Sequence, residues 1–258
     1  HPASAWLVVL IVGRESRARA GARGAGAPPA PDACSSYKIG LELLTAAGPG
    51  LARELVGRGN ELFLDLKLFE IPNSVAGAVR AAGALGASMV TVHGMGGTGI
   101  MAAAVDAARE FPRLRVLALT VVTSMTGSDL ADIGVAAGPE EQVLRLARLA
   151  MRAGCDGVVA SPREAGSLRA ALGPEPLIMT PGVTLGPVGD GAGTADGAGG
   201  HARPGTPEAA FGAGASHVVV GRSVARAADP VAALRRVRAA ARKVAGTAPG
   251  ARSHRSGG

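Results

Sequence analysis

Short apolar runs alternate with alanine- and leucine-rich segments along most of the chain, and this alternation constrains the fold more than any other feature. Eight runs have strand character: "WLVVLIV", "SYKIG", "LFLDLK", "SMVTVH", "RVLALTVV", "DGVVAS", "PLIMTP" and "SHVVVG". Helical segments follow most of them, from "GLELLTAAGPGLARELVGRG" to "DPVAALRRVRAAARKVAG". Eight such units in 258 residues predict an α/β fold, a (β/α)8 TIM barrel. An open doubly wound sheet, which binds ligands where its strand order reverses, is the alternative.

The first strand–helix unit is irregular. The segment "GRESRARAGARGAGAPPAPDACS" has no apolar stripe and contains two adjacent prolines, which predicts loop or disorder. We therefore expect an irregular N-terminal segment over 1–34 that includes a first strand, a barrel over 35–245 completed by that strand, and a disordered basic tail over 246–258. A glycine-rich segment over 182–205 is either a mobile lid or a disordered insertion.

Composition limits the partners that the chain can have. The formal net charge is +7, but the arginines are scattered and the basic excess lies towards the ends, so we expect no nucleic-acid partner and an anionic small substrate. No run approaches the roughly 20 apolar residues of a membrane span, so no membrane partner is expected. The two cysteines, Cys34 and Cys155, lack metal-ligand spacing and are typical of a reduced, cytoplasmic protein.

Charged residues at predicted strand ends indicate an active site. Asp65 and Lys67 lie two residues apart at the end of the third strand, so strand alternation directs both to one face. Lys38 from the second strand and His93 at the end of the fourth can lie beside them at the barrel mouth, where barrel enzymes hold their active sites. A purely structural ion pair is the alternative, although desolvation offsets much of the Coulomb gain of buried charges.

The segment "FLDLKLFEIPNSVAGAVRAAGALGASMVTVHGMGG" resembles the signature region of the orotidine 5'-phosphate decarboxylases, in which Asp-x-Lys-x-x-Asp-Ile-Pro-Asn-Thr precedes a strand ending in Val-His. The resemblance continues, in order, through "YKIGLELLTAAGP", "TVVTSM", "EEQVLRLARLA", "DGVVAS", "TPGV", "GASHVVVGRSV" and "AADPVAAL". It implies a (β/α)8 barrel that decarboxylates orotidine 5'-monophosphate to uridine 5'-monophosphate in pyrimidine synthesis. It also implies a homodimer that uses no metal and no organic cofactor.

The resemblance assigns catalytic roles to residues of the signature. Lys67 matches the proton donor to C6 of the pyrimidine, and Asp65 matches the carboxylate placed near the substrate carboxylate. Lys38 matches the lysine that joins this charged network and contacts the ribose. Glu70 and Ser74 match positions that reach into the active site of the partner subunit.

Substrate-binding roles follow from the same resemblance. Thr123 and Ser124 match the loop that meets the pyrimidine. Gly221 and Arg222 match the phosphate-binding residues after the eighth strand. The sequence thus implies a site for a nucleotide, bound at both its base and its phosphate.

Four departures from the family pattern mark the chain as a divergent member. No aspartate follows the first strand, where Glu15 is the nearest acid, and Glu70 replaces the second aspartate of the motif. Thr184 stands where the family usually has an arginine after "TPG", and His201 in "HARPGTP" aligns with a glutamine. His201 is either a replacement phosphate contact or a solvated loop residue. Three departures affect ribose and phosphate binding, which predicts an intact proton donor and a weakened grip on the substrate.

Two other functions stay open on the sequence. A metal-dependent sugar-phosphate decarboxylase or aldolase of the same superfamily shares the Asp-x-Lys-x-x-Asp pattern, but "IPNSV" and "TVVTSM" favour the nucleotide enzyme. A degenerate scaffold that binds nucleotides without turnover would explain the missing first-strand aspartate. The intact set of Lys38, Asp65 and Lys67 argues against it.

Overall fold

Eight parallel strands close into a barrel in the order of the sequence. This arrangement confirms the predicted (β/α)8 barrel and rules out the open sheet. The first strand pairs with both the second and the eighth, so the barrel has no free edge. The computed structural model describes residues 7–11, 34–185, 205–225 and 227–247.

Three of the sequence-based expectations lie outside the described residues. These are most of the irregular N-terminal segment predicted over 1–34 (residues 1–6 and 12–33), residues 186–204 of the glycine-rich segment, which include His201, and residues 248–258 of the predicted tail. The first two residues of that tail, 246 and 247, instead end the last helix, Pro230–Thr247.

The strands match the predicted apolar runs to within one to three residues at each end. They are β1 (Leu7–Ile11), β2 (Ser36–Gly40), β3 (Glu61–Leu68), β4 (Met89–His93), β5 (Arg115–Leu119), β6 (Gly157–Val159), β7 (Leu177–Thr180) and β8 (His217–Val220). Side chains alternate between the barrel interior and the layer under the helices. Phe63 and Met89 belong to the interior cluster, whereas Leu62, Leu64 and Val90 belong to the larger cluster under the helices.

The helices pack around the strands and cover this outer layer. They are α1 (Leu41–Ala47), α2 (Gly50–Gly57), α3 (Pro72–Ala84), α4 (Gly97–Ala108), α5 (Gly127–Asp132), α6 (Pro139–Arg152), α7 (Ala165–Leu172), α8 (Pro207–Gly212), α9 (Arg222–Ala225) and α10 (Pro230–Thr247). Short 3-10 turns, Gly94–Gly96 and Pro162–Glu164, precede α4 and α7. Among the described residues, no helix is long and apolar enough to cross a membrane.

The single helix predicted after β2 is wrong, because the segment forms two helices. Gly48 ends α1 with a φ of 66°, a left-handed conformation that glycine adopts without a steric penalty. Pro49 follows it and has no amide hydrogen to continue the helical hydrogen bonds. The dipeptide Gly48-Pro49 was the local signal for this break.

The last helix carries much of the basic excess on its outer face. Five cations of α10 are exposed: Arg235, Arg236, Arg238, Arg242 and Lys243. Leu234, Val237 and Ala241 lie on the opposite face and are buried against the barrel. The cations of this helix thus lie on the outside of the fold and not at the barrel mouth.

His217 is a buried histidine in β8, and we expect it to make the fold sensitive to acid. Burial lowers its pKa from 6.5 to about 4, so the folded protein favours the neutral ring. The free energy of unfolding should therefore fall as pH drops from about 6.5 to about 4, by about 3 kcal/mol in total. Denaturant titrations across this pH range measure the slope.

The matched variant is His217→Gln, which cannot titrate and should flatten most of this slope. His93 keeps a contribution of the same sign, because burial lowers its pKa as well. An acid-side slope as steep in His217→Gln as in the unmodified protein would contradict the assignment.

Candidate active site

Strand β3 departs from regular geometry where it carries its charged residues. Its pairing with β4 shifts register between Leu64 and Leu68. Lys67 has a φ of 50°, and no other non-glycine residue has positive φ in the part of the chain that the structure describes. A left-handed conformation costs a non-glycine residue about 1–2 kcal/mol, and such strain is concentrated at functional sites. Simple alternation therefore does not by itself place Lys67 beside Asp65.

Asp65 lies between two lysines at the mouth of the barrel. Lys38 Nζ donates to Asp65 Oδ2 at 2.9 Å, and Lys67 Nζ donates to Asp65 Oδ1 at 2.8 Å. The side chains of Lys38 and Asp65 are each 12% exposed, whereas that of Lys67 is 35% exposed. Lys67 is thus the member of the triad most open to a ligand. The triad confirms that these three sequence-predicted residues come together.

The charges of this triad set the ionisation of its carboxyl group. Burial raises the pKa of Asp65, but Lys38 and Lys67 together, through charge and hydrogen bonds, outweigh burial and hold the pKa below its usual value. Asp65 is therefore a carboxylate at neutral pH. This carboxylate accepts the hydrogen bond of Lys67 and so holds its Nζ in place.

His93 ends β4 beside the triad but does not hydrogen-bond to it. Its Nδ1 accepts a hydrogen bond from the Met95 amide at 3.2 Å, and its ring packs against Phe69 with centroids 5.4 Å apart. Burial, and then the charge of Lys67, lower the pKa of His93. The ring is therefore neutral at neutral pH and adds no positive charge to the site.

Glu70 and Ser74 lie on the rim and not in the charged triad. Both are exposed, Glu70 in the turn after β3 and Ser74 in the first turn of α3. The Glu70 carboxylate accepts a hydrogen bond from the Ile71 amide at 2.7 Å. The alternating array of lysines and carboxylates within one chain is therefore Lys38–Asp65–Lys67, without Glu70.

The candidate substrate-binding residues lie after the carboxyl ends of other strands. Thr123 is buried and Ser124 exposed in the loop between β5 and α5. Gly221 and Arg222 follow β8 directly. The carboxyl ends of parallel barrel strands meet on one face, so these residues share the mouth that holds the triad.

Thr184 follows β7 on a fixed piece of backbone. Its amide donates to the Gly205 carbonyl at 3.0 Å, and the Gly205 amide donates to the Gly182 carbonyl at 3.2 Å. Val183 forms an isolated bridge with Gly205. This pairing joins the two ends of the segment that contains His201, which lies outside the described residues.

Thr91 is a residue that the sequence analysis missed. It is a fully buried threonine in β4, and its hydroxyl hydrogen-bonds to both Asp65 and the backbone of Lys67. The signal in the sequence was a polar residue inside the apolar run "MVTVH", two residues before His93.

Comparisons with known proteins agree with the fold and show the family of the chain. The model of the Orotidine 5'-phosphate decarboxylase / HUMPS family matches residues 29–237. A protein of Anaeromyxobacter sp. (strain K) named orotidine 5'-phosphate decarboxylase is 48% identical over 202 residues, which is 78% of this chain and 85% of that protein. A protein of the same name from Neisseria gonorrhoeae (strain NCCP11945) is 47% identical over 206 residues, 80% of this chain and 81% of its own length.

The solved structures include a similar barrel. The crystal structure of orotidine 5'-phosphate decarboxylase from Lactobacillus acidophilus superposes with a TM-score of 0.74 at 29% sequence identity. The match covers 91% of this chain and 98% of that one.

Proposed function

The chain belongs to the orotidine 5'-phosphate decarboxylase / HUMPS family, and from this membership we propose that it decarboxylates orotidine 5'-monophosphate to uridine 5'-monophosphate in pyrimidine biosynthesis. It is a carboxy-lyase. The observation that carries the proposal is the Lys38–Asp65–Lys67 triad, with nitrogen–oxygen distances of 2.9 Å and 2.8 Å at the barrel mouth. The relatives are named for this reaction, and nothing favours the sugar-phosphate enzymes or a scaffold without turnover.

Lys67 is the proton donor in this proposal. The bond between C6 and the substrate carboxylate breaks, carbon dioxide leaves, and the electron pair stays on C6, which no ring nitrogen stabilises by delocalisation. An ammonium already in place stabilises that charge as it develops. Lys67 then transfers its proton to C6 as a general acid and regains a proton from water. The exposure of Lys67 in the triad supports this role.

Asp65 and Lys38 prepare the proton donor and the substrate. Asp65 holds the Lys67 ammonium by a hydrogen bond and lies near the substrate carboxylate, while Lys38 holds the other oxygen of Asp65 and contacts the ribose. The low pKa of Asp65 supports a permanent negative charge at this position. Binding energy from the phosphate, at Gly221 and Arg222, can align the ring with the triad. Thr123 and Ser124 contact the pyrimidine, and Thr184 lies towards the phosphate. His201 stays a candidate phosphate contact on the sequence alone.

Purified protein should turn over orotidine 5'-monophosphate in the presence of excess EDTA. No group of three or more histidine, cysteine, aspartate or glutamate side chains within the described ranges could hold a metal ion. The loss of substrate ultraviolet absorbance measures the reaction. Absence of turnover with and without added metal would overturn the function. Activity lost in EDTA and restored by magnesium would instead assign the chain to the sugar-phosphate enzymes.

The working form is a homodimer joined at the barrel mouth, with no nucleic acid or membrane as a partner. Among the described residues, four large apolar side chains are exposed. Leu41, Phe69 and Ile71 come directly after strands β2 and β3 at the barrel mouth, and the fourth, Ile133, follows α5. Exposed apolar groups gathered on one face are typical of a protein interface. The enzyme works in the cytoplasm, where buried cysteines that form no disulfide, such as Cys34 and Cys155, stay reduced.

Mixing Lys67→Ala protein with Glu70→Ala protein should restore activity that neither variant has alone. If Glu70 acts in the site of the partner subunit, one site of each heterodimer has both an intact Lys67 and an intact Glu70. The exposed position of Glu70, away from Asp65, supports this arrangement. Turnover measured after the subunits are mixed by partial unfolding and refolding tests it.

Two controls make this complementation decisive. Each variant refolded alone gives the baseline, and sedimentation velocity confirms that mixed dimers form. No gain of activity in verified heterodimers would place Glu70 in the site of its own subunit, and an active monomer would overturn the dimer.

A further inference from the structure

Thr91 connects the backbone of the proposed proton donor to the carboxylate that binds its ammonium. The Lys67 amide donates to Thr91 Oγ1 at 2.8 Å, and Thr91 Oγ1 lies 3.1 Å from Asp65 Oδ1. The same Asp65 oxygen accepts a hydrogen bond from Lys67 Nζ at 2.8 Å. Three hydrogen bonds thus form a closed ring that fixes both ends of Lys67.

The direction of each hydrogen bond in this ring is set by chemistry. An ionised carboxylate only accepts, so the Thr91 hydroxyl must donate to Asp65. A backbone amide only donates, so Lys67 N–H must use a lone pair of the same hydroxyl. The donor and the acceptor of each hydrogen bond in the ring are therefore determined. The hydroxyl cannot rotate without losing one of its two partners.

The register shift explains why Lys67 needs a side-chain partner. Leu64 pairs with Val90 and Leu68 with Val92, so three residues of β3 face Thr91 alone. Regular strand pairing is interrupted here, and the Lys67 amide bonds to the Thr91 hydroxyl. Without this hydroxyl, a partly buried amide would lose its hydrogen-bond partner, which destabilises this backbone conformation.

We propose that Thr91 is a positioning residue that holds Lys67 in its left-handed backbone conformation and so aims its ammonium at the reacting carbon. The proposal rests on the proposed function, because it takes Lys67 as the proton donor. Thr91 lies inside the barrel with 0% exposure, behind Asp65 and Lys67, and it acts through them and not on the substrate. A displacement of about 1 Å in a reacting group can cost about 10²-fold in rate.

Two substitutions separate positioning from a general structural role. Thr91→Val keeps the size of the side chain and removes the hydroxyl, whereas Thr91→Ser keeps the hydroxyl. We expect Thr91→Val to lower kcat by about 10- to 100-fold, with the affinity for uridine 5'-monophosphate unchanged within about twofold. Thr91→Ser should restore most of kcat, because it supplies the same donor and acceptor.

Thr120→Val is the matched control. Thr120 is another fully buried threonine, but its hydroxyl donates to the Val159 carbonyl at 2.9 Å and touches neither Asp65 nor Lys67. The control should lose stability like any buried threonine that loses its hydroxyl, and it should keep kcat. A drop in kcat in Thr120→Val equal to that in Thr91→Val would overturn the proposal.

Hydrogen exchange at the Lys67 amide tests whether Thr91 holds the Lys67 backbone, and it needs no activity assay. Exchange should be slow in the unmodified protein and in Thr91→Ser, and faster in Thr91→Val under conditions where all three are folded. Unchanged exchange and unchanged kcat in Thr91→Val would overturn the positioning role, while activity of the unmodified enzyme would still stand. If the unmodified protein has no turnover but the three proteins show the expected exchange pattern, the proposed function is wrong. The hydrogen bond from the Lys67 amide to Thr91 would then still be shown to hold the backbone.

Discussion

Replacing Lys67 with alanine should abolish decarboxylation and leave the barrel folded. A general acid typically contributes about 10²–10⁴-fold to a rate. A preorganised charge at a developing anion contributes about 10²–10³-fold more. Lys67 supplies both effects in the proposed reaction, so we expect a loss of at least about 10⁴-fold in kcat, measured by the decrease in substrate absorbance.

The fold should survive this substitution because the neighbours of Lys67 keep their own partners. Asp65 retains Lys38 at 2.9 Å and the Thr91 hydroxyl at 3.1 Å, so no carboxylate is left buried and unpaired. Circular dichroism and thermal unfolding check the fold, and binding of uridine 5'-monophosphate checks the rest of the site.

The control for lost charge is Arg236→Ala, which removes one cation from the outer face of α10. It should turn over substrate at the unmodified rate. A folded Lys67→Ala protein with unmodified turnover would show that the proton comes from elsewhere. An equal loss in Arg236→Ala would show that net charge, and not the position of Lys67, controls the rate.

The architecture was predictable because it depends on a repeated local pattern. Each strand and helix pair is recognisable in the sequence as a short apolar run followed by an amphipathic segment. Eight such units are typical of a closed barrel. Local chemistry also marks features that we overlooked. The Gly48-Pro49 break was one, and another was the capping box of Thr126 and Asp129 that begins α5.

The site was predictable only in part, because its geometry depends on residues distant in sequence. Strand alternation predicted that Asp65 and Lys67 lie on one face. The register shift and the left-handed backbone of Lys67, however, depend on contacts with Thr91 in the next strand. The resemblance included Glu70 in the motif, yet the fold of one chain places its carboxylate on the Ile71 amide. A role for Glu70 in a second subunit is a question of assembly, which a pattern in one chain does not determine.

Replacing Arg222 with alanine should weaken binding of uridine 5'-monophosphate by about 30- to 700-fold. This range corresponds to about 2–4 kcal/mol, as expected when one partner of a charge-assisted contact is removed. Arg222 is exposed directly after β8, where its guanidinium can hold two phosphate oxygens. Arg222→Lys is the matched variant, since it keeps the charge and loses the planar two-point contact. Titration calorimetry measures the affinities.

Adding an arginine at position 184 should strengthen binding of the phosphate. Thr184→Arg restores the guanidinium that the family usually has after "TPG", on backbone that the Gly205 carbonyl already fixes at 3.0 Å. Because the backbone is held, the new side chain loses only its own rotamer freedom on binding. Affinity for uridine 5'-monophosphate should rise, most at low salt, where charge interactions are least screened.

Uridine, which has no phosphate, separates a phosphate contact from a change in the pocket. Neither Arg222→Ala nor Thr184→Arg should alter the affinity for uridine by more than about twofold, because a contact confined to the phosphate does not involve uridine. If Thr184→Arg binds both ligands as the unmodified protein does, the backbone after β7 does not reach the phosphate, and Arg222 alone carries the charged contact. If Arg222→Ala weakens both ligands equally, Arg222 supports the shape of the mouth and is not the phosphate anchor.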